Sequence, residues 1–228
     1  MPELEVIALS LEDAIAAENG GASSVEIIAN LAVGGLTPDL DLVRQIVARV
    51  HIETHVIVRP HADSFVYDAG DKEAMHNIVR ELSKLPISSV VIGGMTADGN
   101  FDFDLLHAVM NEIEAERITI HRVIDHVNAP YAALQKLSQM IGYVLCSGAI
   151  TNAYDGRHKM AQWVKSLGAD LYFKCGGGIT LENVMAIQQV VNAPTIHSGR
   201  AVRSLGGVDS EKVAQLVALL DENQKDDP

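Results

Sequence analysis

The run Leu4-Glu-Val-Ile-Ala-Leu9 is short and apolar, and it is followed by the polar, helix-forming segment that begins at Ser10-Leu-Glu-Asp13. A second apolar run, Ser24-Val-Glu-Ile-Ile28, comes directly after this segment. Ser10 and Asp13 resemble a capping box in which Asp replaces the usual Glu or Gln, so a helix should begin here. An apolar strand, a single helix and a second strand together predict a βαβ unit with parallel strands.

The same unit recurs along the rest of the chain. Further apolar runs are Thr54–Arg59, Ser89–Ile92, Arg117–His121, Tyr143–Ser147, Leu171–Lys174 and Pro194–His197. Helices are predicted from Thr37-Pro38, with Pro as a first helical residue, and over 71–82, 102–114, 128–140, 155–167, 180–190 and 210–220. Eight such units favour a closed (βα)₈ TIM barrel. A Rossmann-type sheet would need Gly-x-Gly-x-x-Gly after the first strand, where this chain has no glycine.

Composition limits the class of protein. We predict one barrel domain over residues 1–228, with an acidic tail at 221–228 that frays. The formal charge of −13 disfavours nucleic acid and anionic membranes as partners. No apolar run approaches the roughly 20 residues of a membrane span, and the first residues lack the basic segment of a signal peptide. With only Cys146 and Cys175 available, we expect a cytoplasmic protein without a disulfide framework.

Polar side chains recur on one face of the predicted strands, mostly at or near the C-terminal ends. This face carries Glu26, Arg59, His121, Ser147, Lys174 and His197. Active sites of this fold lie at the C-terminal mouth, and buried ionisable groups are costly unless they pair or meet a ligand. The pattern therefore predicts a functional site at the mouth. The alternative is a structural network in which Glu26 pairs with Arg59 or Lys174.

The fifth strand ends in the densest cluster of reactive side chains, His121-Arg122-Val-Ile-Asp125-His126. If Asp125 orients His121, the imidazole is a candidate acid–base group or metal ligand. Glu26, His121 and His197 would form a carboxylate and two-imidazole site that suits Zn, Mn, Fe or Cu(II). The alternative for His121 is a hydrogen-bonded core histidine.

Glycine-rich loops follow the last two predicted strands. They contain Gly176, Gly177 and Gly178 after the seventh strand, and Ser198, Gly199 and Arg200 after the eighth. Many barrels of this fold hold a phosphate in these two loops through backbone N–H groups. Arg200 or Arg203 would add positive charge. The alternative is that the glycines only form tight turns.

Two kinds of function follow from these patterns. An enzyme acting on a small phosphorylated or carboxylated metabolite would hold the anion with Arg59, Lys174 and the glycine loops. It would move protons through Glu26, His121 and Asp125, and the full candidate catalytic set is Glu26, Arg59, His121, Arg122, Asp125, Lys174 and His197. Isomerase, lyase and hydrolase chemistry remain open. A barrel that binds a small anionic ligand or a metal ion without catalysis is the other possibility.

The residues at the strand ends resemble those of the CutC copper homeostasis family, from about Leu4 to Val213. The matching segments are Val25-Glu26, Gly34-Gly-Leu-Thr-Pro38, Arg59-Pro60 with Phe65-x-Tyr67, Asp98-Gly-Asn100 with Asp102, His121-Arg122 with Asp125, Ser147-Gly148, Gly177-Gly-Ile179 with Glu182-Asn183, and His197-Ser198. The resemblance implies a (βα)₈ barrel, a cytosolic homodimer or higher homo-oligomer, and a link to copper handling. Copper is the cofactor that it implies.

The chain departs from the family pattern where copper ligands would be expected. Family members often carry cysteines near the end of strand one and after the Val-Glu of strand two, but this chain has Ile7-Ala8 and Ile27-Ile28. Cu(I) prefers thiolate and thioether ligands. Cys175, expected just past strand seven and near the mouth, is the candidate soft ligand, with His121 and His197 as further metal ligands. Cys146 is expected to face the helices as a small buried residue.

Overall fold

The structure is a computed structural model that describes residues 2–222. The barrel strands are β1 (Glu3–Ala8), β2 (Ser24–Ile27), β3 (Glu53–Ile57), β4 (Ser89–Ile92), β5 (Ile118–Ile120), β6 (Tyr143–Cys146), β7 (Tyr172–Gly176) and β8 (Thr195–Ser198). The α-helices are α1 (Leu11–Asn19), α2 (Leu40–Val47), α3 (Ala69–Leu82), α4 (Phe103–Met110), α5 (Pro130–Leu137), α6 (Ala153–Leu167), α7 (Val184–Val191) and α8 (Ser210–Glu222). A hairpin of β9 (Arg203–Ser204) and β10 (Gly207–Val208) precedes α8.

The eight barrel strands form one closed parallel sheet. Each strand pairs with its neighbours in sequence, and β1 also pairs with β8, with Glu5 opposite His197 in that register. This closure confirms the predicted (βα)₈ fold. None of the helices within residues 2–222 is long and apolar enough to cross a membrane.

Several helix boundaries differ from the predicted ones. Pro38 does not begin α2, because Thr37 is tied to the end of β3: its N–H donates to the Arg59 carbonyl, and its hydroxyl accepts from the Arg59 N–H. The helix starts at Leu40, with the Asp39 side chain as its N-cap. At the other end of the chain, α8 continues through Glu222, and residues 223–228 of the predicted tail lie outside the described residues.

The start of α7 and the end of α4 also differ from the prediction. Thr180 and Asn183 exchange side-chain to backbone hydrogen bonds, and this local turn delays α7 until Val184. α4 has Asp102 as its N-cap, as its sequence indicates, but ends at Met110 rather than Glu114. These shifts leave the strand positions unchanged, so they do not move the barrel mouth.

The barrel has an apolar layer outside the sheet and a largely polar interior below the mouth. Outward side chains such as Val25, Val56 and Phe173 are fully buried against the helices. Inward positions of the lower barrel carry Glu5 and His55 instead. Two residues further along β1 and β3, the inward positions become the apolar Ile7 and Ile57, which belong to a small apolar cluster and line the cavity above.

Candidate functional site

A cavity of about 570 Å³ opens at the mouth of the barrel. Its polar lining includes Glu26, Arg59, Asp63, His121, Arg122, His126, His197 and Arg200. Its apolar lining comes mainly from Ile7, Leu31, Ile57, Phe65, Leu145 and Ile179. The structure therefore brings five predicted catalytic residues, Glu26, Arg59, His121, Arg122 and His197, to one cavity. Lys174 and Asp125 do not line it.

Lys174 lies deeper in the barrel, where it pairs with a residue that the sequence analysis missed. Its Nζ donates to Glu5 Oε2 over 2.5 Å, and the two side chains are 4% and 1% exposed. His197 Nδ1 lies 2.7 Å from the other oxygen of Glu5. The predicted alternative, Glu26 paired with Arg59 or Lys174, is therefore wrong. Glu5 had one detectable signal, a charged residue inside an apolar strand.

The buried charges form one connected group. We call Glu5, Glu26, His55, Lys174 and His197 the barrel cluster. His197 joins its two ends, because its Nε2 lies 3.5 Å from Glu26 Oε2 and its Nδ1 contacts Glu5. His55 Nε2 lies 3.3 Å from Glu5 Oε2. The cluster thus connects the interior of the barrel with the cavity at its mouth.

Burial and charge shift the pKa values within the barrel cluster in opposite directions. Burial favours the neutral acid at Glu5, but the surrounding cationic side chains, Lys174 above all, hold its pKa well below the ordinary value. Burial raises the pKa of Glu26, and the charge of His197 offsets this only in part. Burial alone would lower the pKa of His197, but the carboxylates of Glu26 and Glu5 raise it. Glu26, whose Oε1 has no hydrogen-bond partner, is therefore a buried carboxyl group at the cavity with a raised pKa.

Arg59 supplies a fixed positive charge beside the cavity. The residue is 7% exposed, and its guanidinium donates to the carbonyl oxygens of Val33, Gly35 and Ala62 over 3.0 to 3.3 Å. Its Cζ lies 4.7 Å from the centre of the Phe65 ring. Within residues 2–222 no carboxylate forms an ion pair with Arg59, so neutral acceptors alone compensate this buried cation.

His121 lies at the end of β5 and caps the 3₁₀ turn Arg122–Asp125. Its Nδ1 accepts a hydrogen bond from the Val123 N–H over 3.1 Å, and its Nε2 is buried without a partner. Burial and the neighbouring charge of Arg59 lower the pKa of His121 to about 3. The ring is therefore neutral at physiological pH.

Asp125 does not orient His121, contrary to the prediction. The 3₁₀ turn directs its carboxylate towards β6, where it accepts from the Ser147 hydroxyl over 2.7 Å and from the Gly148 N–H over 3.0 Å. Its Oδ2 also accepts from Arg122 Nε over 3.1 Å. Asp125 therefore anchors Arg122 and the end of β6, and it reaches the cavity only through Arg122.

The two glycine loops meet at the mouth, but only part of each loop lines the cavity. Gly177, Gly178, Gly199 and Arg200 line it, whereas Gly176 and Ser198 belong to β7 and β8. Gly177 has φ +101°, and a Cβ on it would lie 2.8 Å from the guanidinium carbon of Arg122. Glycine is thus required for Arg122 to lie against this loop. Arg203 is not a free cation at the mouth, because it donates to Asp13 over 2.7 Å.

The predicted position of Cys175 is wrong. β7 extends through Gly176, so Cys175 lies inside the strand and its side chain packs in the apolar core, opposite Cys146 of β6. Both thiols are free and fully buried. Burial, with a smaller contribution from the charge of Asp125, raises the pKa of Cys175 to about 12. Neither thiol is therefore a soft ligand at the mouth.

The predicted carboxylate and two-imidazole metal site is not assembled either. Among the residues that the structure describes, no group of three His, Cys, Asp or Glu side chains lies close enough to hold a metal ion. Glu26 and His197 contact each other, whereas His121 lies at the end of β5 beneath Phe65. The three side chains share a cavity without converging on one point.

We expect both native thiols to resist a water-soluble aromatic disulfide reagent, because the reactive thiolate is disfavoured by burial. The released chromophore should appear only when urea unfolds the chain. A Ser64→Cys variant, with its added thiol on the exposed loop at the mouth, should react at once and serves as the control. Rapid modification of Cys175 in the native protein would contradict its placement in the core.

A family profile and individual relatives all relate this chain to the same protein family. The sequence profile of the CutC family matches residues 3–202. The chain is 33% identical over 203 residues to a CutC family protein of Photobacterium profundum, covering 88% of this chain and 83% of that relative. It is 31% identical over 206 residues to the copper homeostasis protein cutC homolog of Homo sapiens, covering 89% and 75%.

Solved structures show the same barrel. The CutC protein of Streptococcus agalactiae superposes with a TM-score of 0.82 at 22% identity, covering 89% of this chain and all of that one. Phosphoribosyl anthranilate isomerase of Thermotoga maritima gives a TM-score of 0.66 at 15% identity, covering 97% and 100%. At these identities the likeness shows the fold alone.

Proposed function

This chain belongs to the CutC family, which includes a protein named for copper homeostasis, and from that premise we propose that its barrel mouth binds a small anionic metabolite and transfers protons on it. The observation that carries the proposal is Arg59, a buried guanidinium beside the cavity whose hydrogen bonds go to backbone carbonyls. The ligand class is a phosphorylated or carboxylated small molecule. The reaction is of isomerase, lyase or hydrolase type.

Charge compensation supports the anion. A buried cation is costly unless an opposite charge meets it, and a ligand anion would provide that charge for Arg59. Arg200 is exposed at the rim of the same cavity, and Gly177 and Gly178 bring backbone close to it. Arg59, Arg122 and Arg200 thus place three guanidinium groups around a cavity whose acidic lining residues are Glu26 and Asp63.

The barrel cluster supports proton transfer. Glu26 faces the cavity with a raised pKa and an unpartnered oxygen, which are features of a general acid or base. His197 contacts both Glu26 and Glu5, so it can pass a proton between the cavity and the interior carboxylate. Arg122, held by Asp125 and Ser147, completes the polar wall.

Copper binding is the second candidate, favoured by the name of the human relative. The residues fit this role poorly, because both thiols are in the core and Met95 is the single sulfur-bearing residue among those that line the cavity. Cu(I) prefers such soft ligands. The cavity therefore lacks a set of soft ligands for Cu(I) among its lining residues.

We propose a cytoplasmic homo-oligomer with no nucleic acid or membrane partner, on the basis of the family and of the formal charge of −13. Residues 1–228 are proposed to act as one barrel domain.

A thermal-shift experiment with matched arginine variants tests the proposal. Inorganic phosphate and small phosphorylated sugars at about 100 times their Kd should stabilise the native protein by roughly 2.7 kcal/mol, a rise in melting temperature of several degrees. Arg59→Gln should abolish this rise, because it removes the charge beside the cavity. Arg117→Gln is the matched control: Arg117 also donates to two backbone carbonyls, those of Leu85 and Ile87, but it precedes β5 at the opposite end of the barrel.

The outcomes separate the two candidates. A rise with anions that Arg117→Gln retains and Arg59→Gln loses supports the proposal. No rise with any phosphorylated or carboxylated compound, or an equal rise in Arg59→Gln, contradicts it. A rise with Cu(I) under reducing conditions and none with anions would favour copper binding instead.

A further inference from the structure

We infer that His121 serves the site as a hydrogen-bond donor to an anionic oxygen of the ligand, and that it acts neither as a base nor as a metal ligand. The identity of the ligand rests on the proposed function. The donor role of His121 rests on the geometry of its imidazole. It reverses the two roles that the sequence suggested for this residue.

The backbone determines which ring nitrogen carries the proton. The Val123 N–H points at His121 Nδ1 over 3.1 Å, and an N–H can donate only to a lone pair. Nδ1 is therefore unprotonated, and the ring must carry its proton on Nε2. A cationic imidazole would place a second N–H against that of Val123, so the cap also opposes protonation. The pKa of about 3, lowered by burial and by Arg59, agrees with this assignment.

In this tautomer His121 can act only as a hydrogen-bond donor, through Nε2–H. Its Nε2–H is buried and has no acceptor among the described residues, which is costly for a polar group. The Nδ1 lone pair is already used, and Nε2 has no lone pair while it holds its proton. The ring therefore has no free lone pair for a metal ion or a substrate proton. Its Nε2–H can still donate to an oxygen acceptor.

The Phe65 ring packs against the His121 ring at the cavity. The ring centres of Phe65 and His121 are 5.0 Å apart, and the same Phe65 ring lies 4.7 Å from Arg59 Cζ. Arg59 Nε is also buried without a partner. Phe65 itself is half-buried between the exposed residues Ser64 and Val66. A ligand that displaces the Phe65 ring would reach a neutral donor and a cation together, which suits a carboxylate or phosphate oxygen.

Two substitutions separate the donor from the cap. His121→Asn places a side-chain oxygen near the position of Nδ1, so it keeps an acceptor for the Val123 N–H and removes the Nε2 donor. His121→Gln places an amide N–H near the position of Nε2, so it keeps a donor and loses the cap. We expect the affinity for an anion to fall roughly 10- to 100-fold in the Asn variant, as for loss of a hydrogen bond to a charged group, and to stay within about threefold in the Gln variant. Inorganic phosphate and malonate, titrated separately in thermal-shift assays, distinguish a phosphate from a carboxylate.

A second measurement needs no ligand. Long-range ¹H–¹⁵N correlation spectra of the histidine-labelled protein report which ring nitrogen is protonated, and His121→Asn identifies the signal. We expect the neutral Nε2–H tautomer at neutral pH. An Nδ1–H tautomer, a cationic ring, or undiminished anion binding in His121→Asn would overturn the inference. Absence of any anion binding to the unmodified protein would instead refute the proposed function, and the spectrum would still decide the tautomer.

Discussion

Replacing Lys174 with methionine is expected to lower the free energy of unfolding by about 3–5 kcal/mol, the range for removing one partner of a buried ion pair. Methionine retains an apolar stem of similar length, so the packing changes little. The carboxylate of Glu5 would remain fully buried after losing the cation that lies 2.5 Å from it. Because Lys174 is the leading cause of the low pKa of Glu5, that pKa should rise in the variant.

Urea unfolding at neutral pH measures this effect. Lys84→Met is the matched control, because Lys84 also contacts a carboxylate, that of Glu81, but in an exposed pair. The control should leave the unfolding midpoint unchanged. A Glu5→Gln/Lys174→Met double variant should recover part of the loss, because it no longer buries an unpaired carboxylate. Equal midpoints for Lys174→Met and Lys84→Met would show that the buried pair contributes little.

Acid should destabilise the protein through His121. The unfolded imidazole takes up a proton near pH 6.5, whereas the folded one does so only near pH 3. Above pH 6.5 the ring is neutral in both states and contributes no pH dependence. As the pH falls below 6.5, the imidazole binds a proton in the unfolded state but not in the folded state. The free energy of unfolding therefore declines by about 1.4 kcal/mol per pH unit. The loss attributable to His121 by pH 3 is on the order of 4 kcal/mol.

His121→Asn isolates this contribution, because asparagine does not titrate and keeps the acceptor for Val123. Free energies of unfolding measured between pH 7 and pH 3.5 should decline more steeply in the unmodified protein than in the variant. Glu5, whose pKa is lowered, also loses its contribution as the pH falls below its unfolded value of 4.5, but it does so equally in both proteins. His51→Asn, the same substitution at an exposed site, is the matched control. Parallel profiles for His121→Asn and the unmodified protein would refute a folded imidazole that resists protonation.

Local patterns in the sequence were sufficient for the fold and for much of the mouth. Strand alternation and helix amphipathicity act over a few residues, so they are readable without tertiary contacts. The same alternation placed Glu26, Arg59, His121 and His197 on the inward face, and all four line one cavity.

Local patterns could not predict features that depend on the closure of the barrel or on the exact end of a strand. Glu5 finds Lys174 and His197 because β1 pairs with β8, a contact between the two ends of the sequence. Cys175 was misplaced because β7 runs two residues further than its apolar run, which ends at Lys174; the strand continues through Gly176, so Cys175 follows the strand alternation into the apolar core. Asp125 turned away from His121 because the segment between them forms a 3₁₀ turn rather than continuing the strand.

The barrel cluster carries a consequence for engineering the protein. Most barrels of this fold fill the interior with packed Val, Ile and Leu, and replacing a buried ionic group by apolar side chains of similar volume often increases stability. Such a redesign of Glu5, His55 and Lys174 would yield a more heat-resistant barrel. It would also remove charges that act on Glu26 both directly and through His197, and would therefore change the pKa of Glu26 at the mouth. The same buried charges therefore affect both the thermal stability of the barrel and the pKa of Glu26. Selection for one of these properties alters the other.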